Sequence, residues 1–269
     1  DLHRFAHYGE QGVLLLLSDS TNSHSPGFTK SEKTVGPTFD RIFASAEGRV
    51  IMSTFSSNIH RVSQAIEHGL KYGRKVCVIG RSMEKNLDLA MRLGYIKFPK
   101  DQFIDAHEVN KYSDKQVLII TTGSQGESMS ALYRMAIHEH RHIKIKENDQ
   151  IILSARAIPG NEGSVSTIIN HLLKAGAKVA YQDFSEIHVS GHAAQEEQKL
   201  MLRLVKPKFF LPVHGEYNHA LRHKKTGIDC GVLERNVYVM TDGEQIEVTP
   251  KYLKKVKSVK TGKVYIDNQ

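Results

Sequence analysis

The sequence predicts an α/β protein: a mostly parallel sheet, covered by helices on both faces, inserted between two pieces of another domain. Three observations carry this. Short apolar runs alternate with helix-length amphipathic stretches through the middle of the chain. Gly73, Gly94 and Gly176 stand where the helices between those runs would end. Toward both ends the alternation gives way to a different pattern. Strands joined by single helices need crossovers that lie on the sheet's faces, so the sheet is buried on both sides.

Taken in order, residues 13–18 form a buried-type strand that enters a polar turn. Strands are then expected at 49–54, 75–79, 116–121, 149–153 and 178–181, with helices at 58–71, 83–92, 129–138 and 162–175. In the first of these helices Ile59, Val62, Ala65, Ile66 and Leu70 keep helical spacing. The strand at 178–181 continues into a turn through residue 185. Beyond His192 a helix over 193–205 leads into a strand at 209–213, and a second helix starts at Glu216. Residues 237–240 and 244–248, joined across Asp242 and Gly243, read as a hairpin. The Lys-rich tail from Lys251 reads as a linker. The expected division is 1–33 and 186–250 for the outer domain, 34–185 for the inserted one, and 251–269 for the linker.

At 269 residues and 40% hydrophobic content the chain can bury a sizeable core. A net charge of +8 attracts polyanions, nucleic acid first among them, although a merely basic protein fits the charge equally well. Cys77 and Cys230, without CxxC spacing, argue against a disulfide framework and against a cysteine-built zinc site, and they fit a reducing cytoplasm. No apolar run is long enough to span a bilayer and nothing resembles a signal peptide, so no membrane partner is expected. A start without Met that runs quickly toward a strand is read as a fragment.

Three runs offer chemistry. In HVSGH (188–192) Ser190 can donate to a phosphate oxygen, Gly191 permits close backbone approach, and His192 can act as general acid or phosphate ligand. A lone strand-end His is more often structural; the adjacent Ser-Gly favours function. In PVHGEY (212–217) His214 ends a buried strand, where it is a metal ligand or a structural residue. In SDSTN (18–22) Asp19 is a turn cap or a carboxylate that orients a histidine and holds its donor tautomer. Two further turns, SSNIHR (56–61) and TGSQGE (122–127), have phosphate-friendly composition but lack a GKS or GKT; helix capping explains them about as well. HEHRH (138–142), beside Arg141, Lys144 and Lys146, reads as solvated basic surface rather than a metal cluster. His68, His107 and His223 are among the histidines with no evident partner. There is no GxSxG elbow and no reactive-looking cysteine.

In their order and spacing SDSTN, SSNIHR, VIGRSM (78–83), TGSQGE, HVSGH and FLPVHGEY (210–217) resemble the bacterial ribonuclease J family, of the β-CASP group of metallo-β-lactamase-fold nucleases. The likeness covers nearly the whole chain. It implies a β-CASP domain inserted in a partial metallo-β-lactamase αββα fold. It implies a metal-dependent ribonuclease acting on RNA from 5′-monophosphate ends, 5′ to 3′, and also internally. Asp19 and His192 would then be catalytic and His214 a metal ligand. Ser57, Asn58, Ile59, Gly123, Ser124 and His188, Val189, Ser190, Gly191 and His192 would bind RNA. Two divalent ions, zinc or manganese, would serve the intact enzyme, which would self-associate. The closing run GKVYIDNQ resembles the family's passage into a small C-terminal domain. The family's HxHxDH run, with a further His and Asp, is expected upstream of Asp1, so this chain alone is expected to hold no functional metal pair and to be inactive. Two alternatives remain: a non-catalytic RNA-binding module without the metal half, and a Rossmann-like binder, which lacks GxGxxG after its first strand.

Overall fold

The computed structural model describes residues 2–158, 160–181, 187–262 and 264. In chain order its elements begin with α1 (Leu2–Gln11), β1 (Leu15–Asp19), α2 (Gly36–Ser45), β2 (Val50–Ser53), α3 (Ile59–Lys71), β3 (Lys75–Ile79), α4 (Arg81–Arg92) and β4 (Val117–Thr121). They continue with α5 (Ala131–Ala136), β5 (Gln150–Leu153), α6 (Glu162–Lys174), β6 (Lys178–Ala180), α7 (Gln195–Val205), β7 (Phe209–Val213), α8 (Tyr217–Asp229), β8 (Glu244–Val248) and β9 (Leu253–Ser258). Two compact units divide the chain: Lys30–Val189, and Asp1–Thr29 together with Ser190–Gln269.

The Lys30–Val189 unit is built on a five-stranded sheet of order β3-β4-β2-β5-β6, parallel throughout. Its strands have no polar face, because successive side chains enter two different cores. Val50, Met52, Leu118, Ile120 and Ile152 pack with Phe39 and Phe43 of α2 and with Val62, Ala65 and Ile66 of α3. Ile51, Ile119, Ile151 and Leu153 pack with Leu132 and Met135 of α5 and with Ile168 and Leu172 of α6. Helices therefore cover both faces. β2 lies between β4 and β5, so the loops leaving these three strands share one edge of the sheet. Gly73, Gly94 and Gly176 have φ of 69°, 77° and 84° just past α3, α4 and α6, the left-handed turn that ends a helix.

The unit of Asp1–Thr29 and Ser190–Gln269 holds a two-stranded parallel sheet, β1 with β7, registered from Leu15 opposite Phe209 to Asp19 opposite Val213. Helix α1 runs against α7 so closely that a Cβ on Gly9 would lie 2.0 Å from the Leu204 carbonyl oxygen. That absence of a side chain is what lets the two backbones touch.

Several expectations need correction. The hairpin joins β8 to β9, not 237–240 to 244–248. Val237 instead makes a parallel bridge to Phe210 of β7. The expected linker from Lys251 contains β9, whose Lys254 and Lys255 meet Glu247 and Glu244 of β8 at 3.3 and 2.6 Å. Facing acids neutralise the lysines that made the tail look unstructured. Helix α5 is shorter than expected: the Ser130 side chain caps its start, and His138 at φ 63° turns the chain left-handed just after its end. Helices α1 and α2 were not expected. The turn anticipated up to residue 185, and most of GKVYIDNQ, lie outside the described residues.

Candidate active site

Asp19 is the last residue of β1, and His214 follows the last residue of β7. Because the two five-residue strands pair in register, both side chains leave the same edge of this small sheet. His214 takes φ 57° and Gly215 φ 117°; the left-handed pair turns the chain sharply at the strand end. For a non-glycine residue such a conformation is uncommon and recurs at functional sites. His192 arrives on the segment leading to α7.

The three side chains converge. His192 Nδ1 lies 2.6 Å from Asp19 Oδ2, and His214 Nδ1 lies 3.6 Å from the same oxygen. The two imidazoles stack with centroids 5.3 Å apart and planes at 28°. All three remain accessible, with side-chain exposures of 38% for His192, 40% for Asp19 and 65% for His214. Partial burial alone would raise the Asp19 pKa. The Thr21 N–H at 2.7 Å, the His192 ring and the Thr21 hydroxyl outweigh it and hold the carboxyl below its ordinary value. An ionised Asp19 accepts the Nδ1 proton of His192, which leaves Nε2 of that ring to carry or release a proton. Thr21 Oγ1 sits 2.8 Å from His214 Nδ1. When Nδ1 donates to that hydroxyl, Nε2 keeps a free lone pair, the state a metal ligand needs.

The SDSTN turn is tied down by residues that sequence reading missed. Asn22 Nδ2 donates to Ser190 Oγ at 2.9 Å and to the His192 carbonyl at 2.8 Å. The Thr29 hydroxyl donates to the same carbonyl at 2.9 Å. Gln198 Nε2 donates to the Asp19 carbonyl at 3.3 Å. Ser20 Oγ lies 3.1 Å from Nδ1 of the buried His223. The His219–His223 spacing on α8 was the available signal: four residues apart, the pair shares one helix face.

The remaining sequence candidates lie elsewhere. Ser57, Asn58 and Ile59 follow β2, and Gly123 and Ser124 follow the neighbouring β4, so one sheet edge gathers them. Asn58 is engaged there as the cap of α3, its Oδ1 accepting the Arg61 N–H at 3.1 Å. Gly123 takes φ 111°, and a Cβ on it would meet the Ser130 hydroxyl. His188 and Val189 end the Lys30–Val189 unit. Burial, then the Arg61 charge, lowers the His188 pKa and favours its neutral form. Ser190 begins the other unit, where its hydroxyl oxygen accepts the His192 N–H at 3.2 Å. The HEHRH run is not wholly solvated surface: His140 is half-buried, and its Nδ1 accepts the Ile143 N–H at 3.1 Å. His68 and His223 also have partners, in Asp40 at 3.4 Å and in Ser20.

Comparison with known families settles the kinship. The model described as "Ribonuclease J, beta-CASP domain" matches residues 47–172. The one described as "Zn-dependent metallo-hydrolase RNA specificity domain" matches 176–239, the stretch that contains His192 and His214. The chain is 70% identical over all of its 269 residues to Ribonuclease J of Helicobacter pylori strain B128. The chain belongs to the ribonuclease J family. Ribonuclease J 1 of Streptococcus pyogenes is 47% identical over 93% of the chain, and Ribonuclease J2 of Bacillus subtilis 39% identical over 99%. The chain spans 39% of the Helicobacter protein, 44% of the streptococcal one and 48% of the Bacillus one. Its architecture is accordingly a β-CASP domain inserted in a partial metallo-β-lactamase fold.

Proposed function

We propose that the intact protein is a divalent-metal-dependent ribonuclease that processes and degrades RNA, working 5′ to 3′ from 5′-monophosphate ends and also cutting internally. One observation carries the reading: a carboxylate and two imidazoles, distant in sequence, meet on one exposed edge, each ring held at Nδ1 by a neighbour. Asp19 orients His192 through Nδ1, and His192 Nε2 delivers a proton to the leaving oxygen of the phosphodiester. His214 offers Nε2 as a metal ligand while Thr21 holds its other nitrogen. Two zinc or manganese ions, when bound, supply an activated water and stabilise the attacking and leaving oxygens.

The residues present fit part of such a centre. Asp19 is engaged by His192, and one further imidazole falls short of the three protein ligands a catalytic zinc takes. We therefore assign His214 to one edge of the metal centre and expect this chain alone to hold no catalytic metal pair and to be inactive. Ser57, Asn58, Ile59, Gly123, Ser124 and the 188–192 backbone are assigned to RNA, with Ser190 as a donor to phosphate. A cytoplasmic protein that self-associates fits the family reading. Among the described residues no helix is long and apolar enough to cross a membrane.

In the full-length protein, His192→Ala is expected to slow turnover of 5′-monophosphorylated RNA by about 100-fold or more while RNA affinity changes little. His214→Ala is expected to lower the bound metal per protein. Near-normal turnover in the first variant, or unchanged metal content in the second, overturns the assigned role. RNA binding without turnover in the unmutated protein would establish the binding-module reading instead.

A further inference from the structure

A cavity of about 550 Å³ opens beside β3 and α4, and none of its lining residues is among those assigned to RNA. Glu84 and Asp88 of α4 line it, with Asp105 and His107 from one loop and His140 and His142 from another. Asp105 to Glu108 form a tight turn closed by the Glu108 N–H on the Asp105 carbonyl at 2.9 Å. We propose that this turn is a second divalent-cation site, unrelated to the catalytic centre, in which Asp105, His107 and Glu108 ligate an ion of the zinc or cobalt type and His142 closes the shell from the facing loop.

Ligand atoms of Asp105, His107 and Glu108 all lie within 4.8 Å of one another. Around one zinc, O and N donors stand about 2.0–2.2 Å from the metal, so modest side-chain rotation suffices. The mixture of imidazole and carboxylate suits zinc or cobalt better than calcium or magnesium. The donors are available: among the described residues, no hydrogen bond or ion pair engages the Asp105 carboxylate or the His107 and His142 rings. Glu108 accepts from Lys111 Nζ at 3.0 Å through Oε1 and from the Asp105 N–H at 3.4 Å through Oε2; the lysine is 66% exposed and the second bond is long, so a metal can displace either. The His107 and His142 rings stand 6.4 Å apart at 61°, although they are far apart in sequence.

His140 has a different part. Its Nδ1 accepts the backbone N–H groups of His142 and Ile143 at 3.4 and 3.1 Å, which places its proton on Nε2 and denies that nitrogen to a metal. It shapes the loop that presents His142. The local field favours a cation in a chain whose net charge is +8. The carboxyl groups of Glu84, Asp88 and Asp105 all line this cavity. The same field repels RNA phosphates, so the site is a clasp between two loops rather than an extension of the RNA surface. It stands whether or not the nuclease reading does.

The test is zinc titration of the full chain by calorimetry, with cobalt absorption to read the coordination. The wild type and His214→Ala are expected to bind zinc here equally well, and His107→Ala and Asp105→Asn at least roughly tenfold more weakly. Both altered residues are exposed, so thermal unfolding without zinc should not change in the two variants. Zinc binding undiminished by His107→Ala, binding lost in His214→Ala but kept in His107→Ala, or no zinc binding by the wild type each overturns the proposal. His142→Ala is expected to weaken binding as well; unchanged affinity there overturns the clasp between the loops.

Discussion

His223 lies fully buried on α8, with Nδ1 3.1 Å from the Ser20 hydroxyl and its ring edge-on to Phe210 at 4.9 Å. Burial pushes its pKa down to about 4, so the folded protein keeps it neutral. In the unfolded chain it titrates near its ordinary 6.5. Between those values the unfolded state binds more protons, so stability falls as pH drops through that window and levels off below it. The full effect is about 3 kcal/mol. In chemical unfolding at pH 7 and pH 4.5, the wild type should lose more stability on acidification than His223→Gln, which cannot take up the proton. Equal losses would show that another group dominates. Asp19, His192 and His214 were legible because each stands in a short local signature: a strand end, a Ser-Gly, a His-Gly. The Ser20–His223 and Thr21–His214 contacts were not, because they exist only once β1 and β7 are paired in register. His107 was given no partner and His142, in HEHRH, was read as solvated surface, because their 6.4 Å contact forms only when two loops far apart in sequence fold together.

Among the elements, the parallel sheet was readable because its strands are short and largely apolar and because three of the helices between them, α3, α4 and α6, end at a glycine. The β8–β9 pair was not, because its lysines find their acids only across the strands. Helix α2 escaped notice although it buries Thr38, Phe39 and Phe43. Charge also pins the sheet itself. Arg49 precedes β2 and Asp149 precedes β5, and each side chain is 1% exposed. Arg49 Nε donates to Asp149 Oδ1 at 2.9 Å, and Nη2 donates to Oδ2 at 2.5 Å and to the Lys144 carbonyl at 2.7 Å. The pair locks the starts of two adjacent strands, where Val50 lies opposite Gln150. Removing one partner strands a buried charge, so Arg49→Met should cost roughly 3–5 kcal/mol in urea unfolding. The double change Arg49→Met with Asp149→Leu should recover much of that, because replacing a buried pair by apolar groups is often neutral. A single variant within about 1 kcal/mol of wild type would show that the pair is dispensable.

At the scale of the whole chain, the two units differ in what they can bury. Lys30–Val189 has a sheet with an apolar core on each face. Its last described segment is fastened inward: the Ile187 carbonyl accepts Arg61 Nη1 at 2.7 Å and the Ser154 hydroxyl at 2.5 Å, and Ile187 itself is fully buried. The other unit gathers Leu202, Phe210, Val232 and Val237 into one small cluster beneath a two-stranded sheet. Leu17 on β1 is 57% exposed and Tyr8 on α1 55%. Two strands with a cluster of that size are marginal in water, whereas a five-stranded sheet packed on both faces is not. Residues 30–189 expressed alone should therefore unfold in one sharp urea transition and protect the amides of β2, β4 and β5 from exchange. Residues 1–29 joined to 190–269 should unfold broadly and bind a hydrophobic dye. Were the excised 30–189 segment to lose its exchange protection, its stability would have to come from the flanking chain, and the two-core account of the insert would fail.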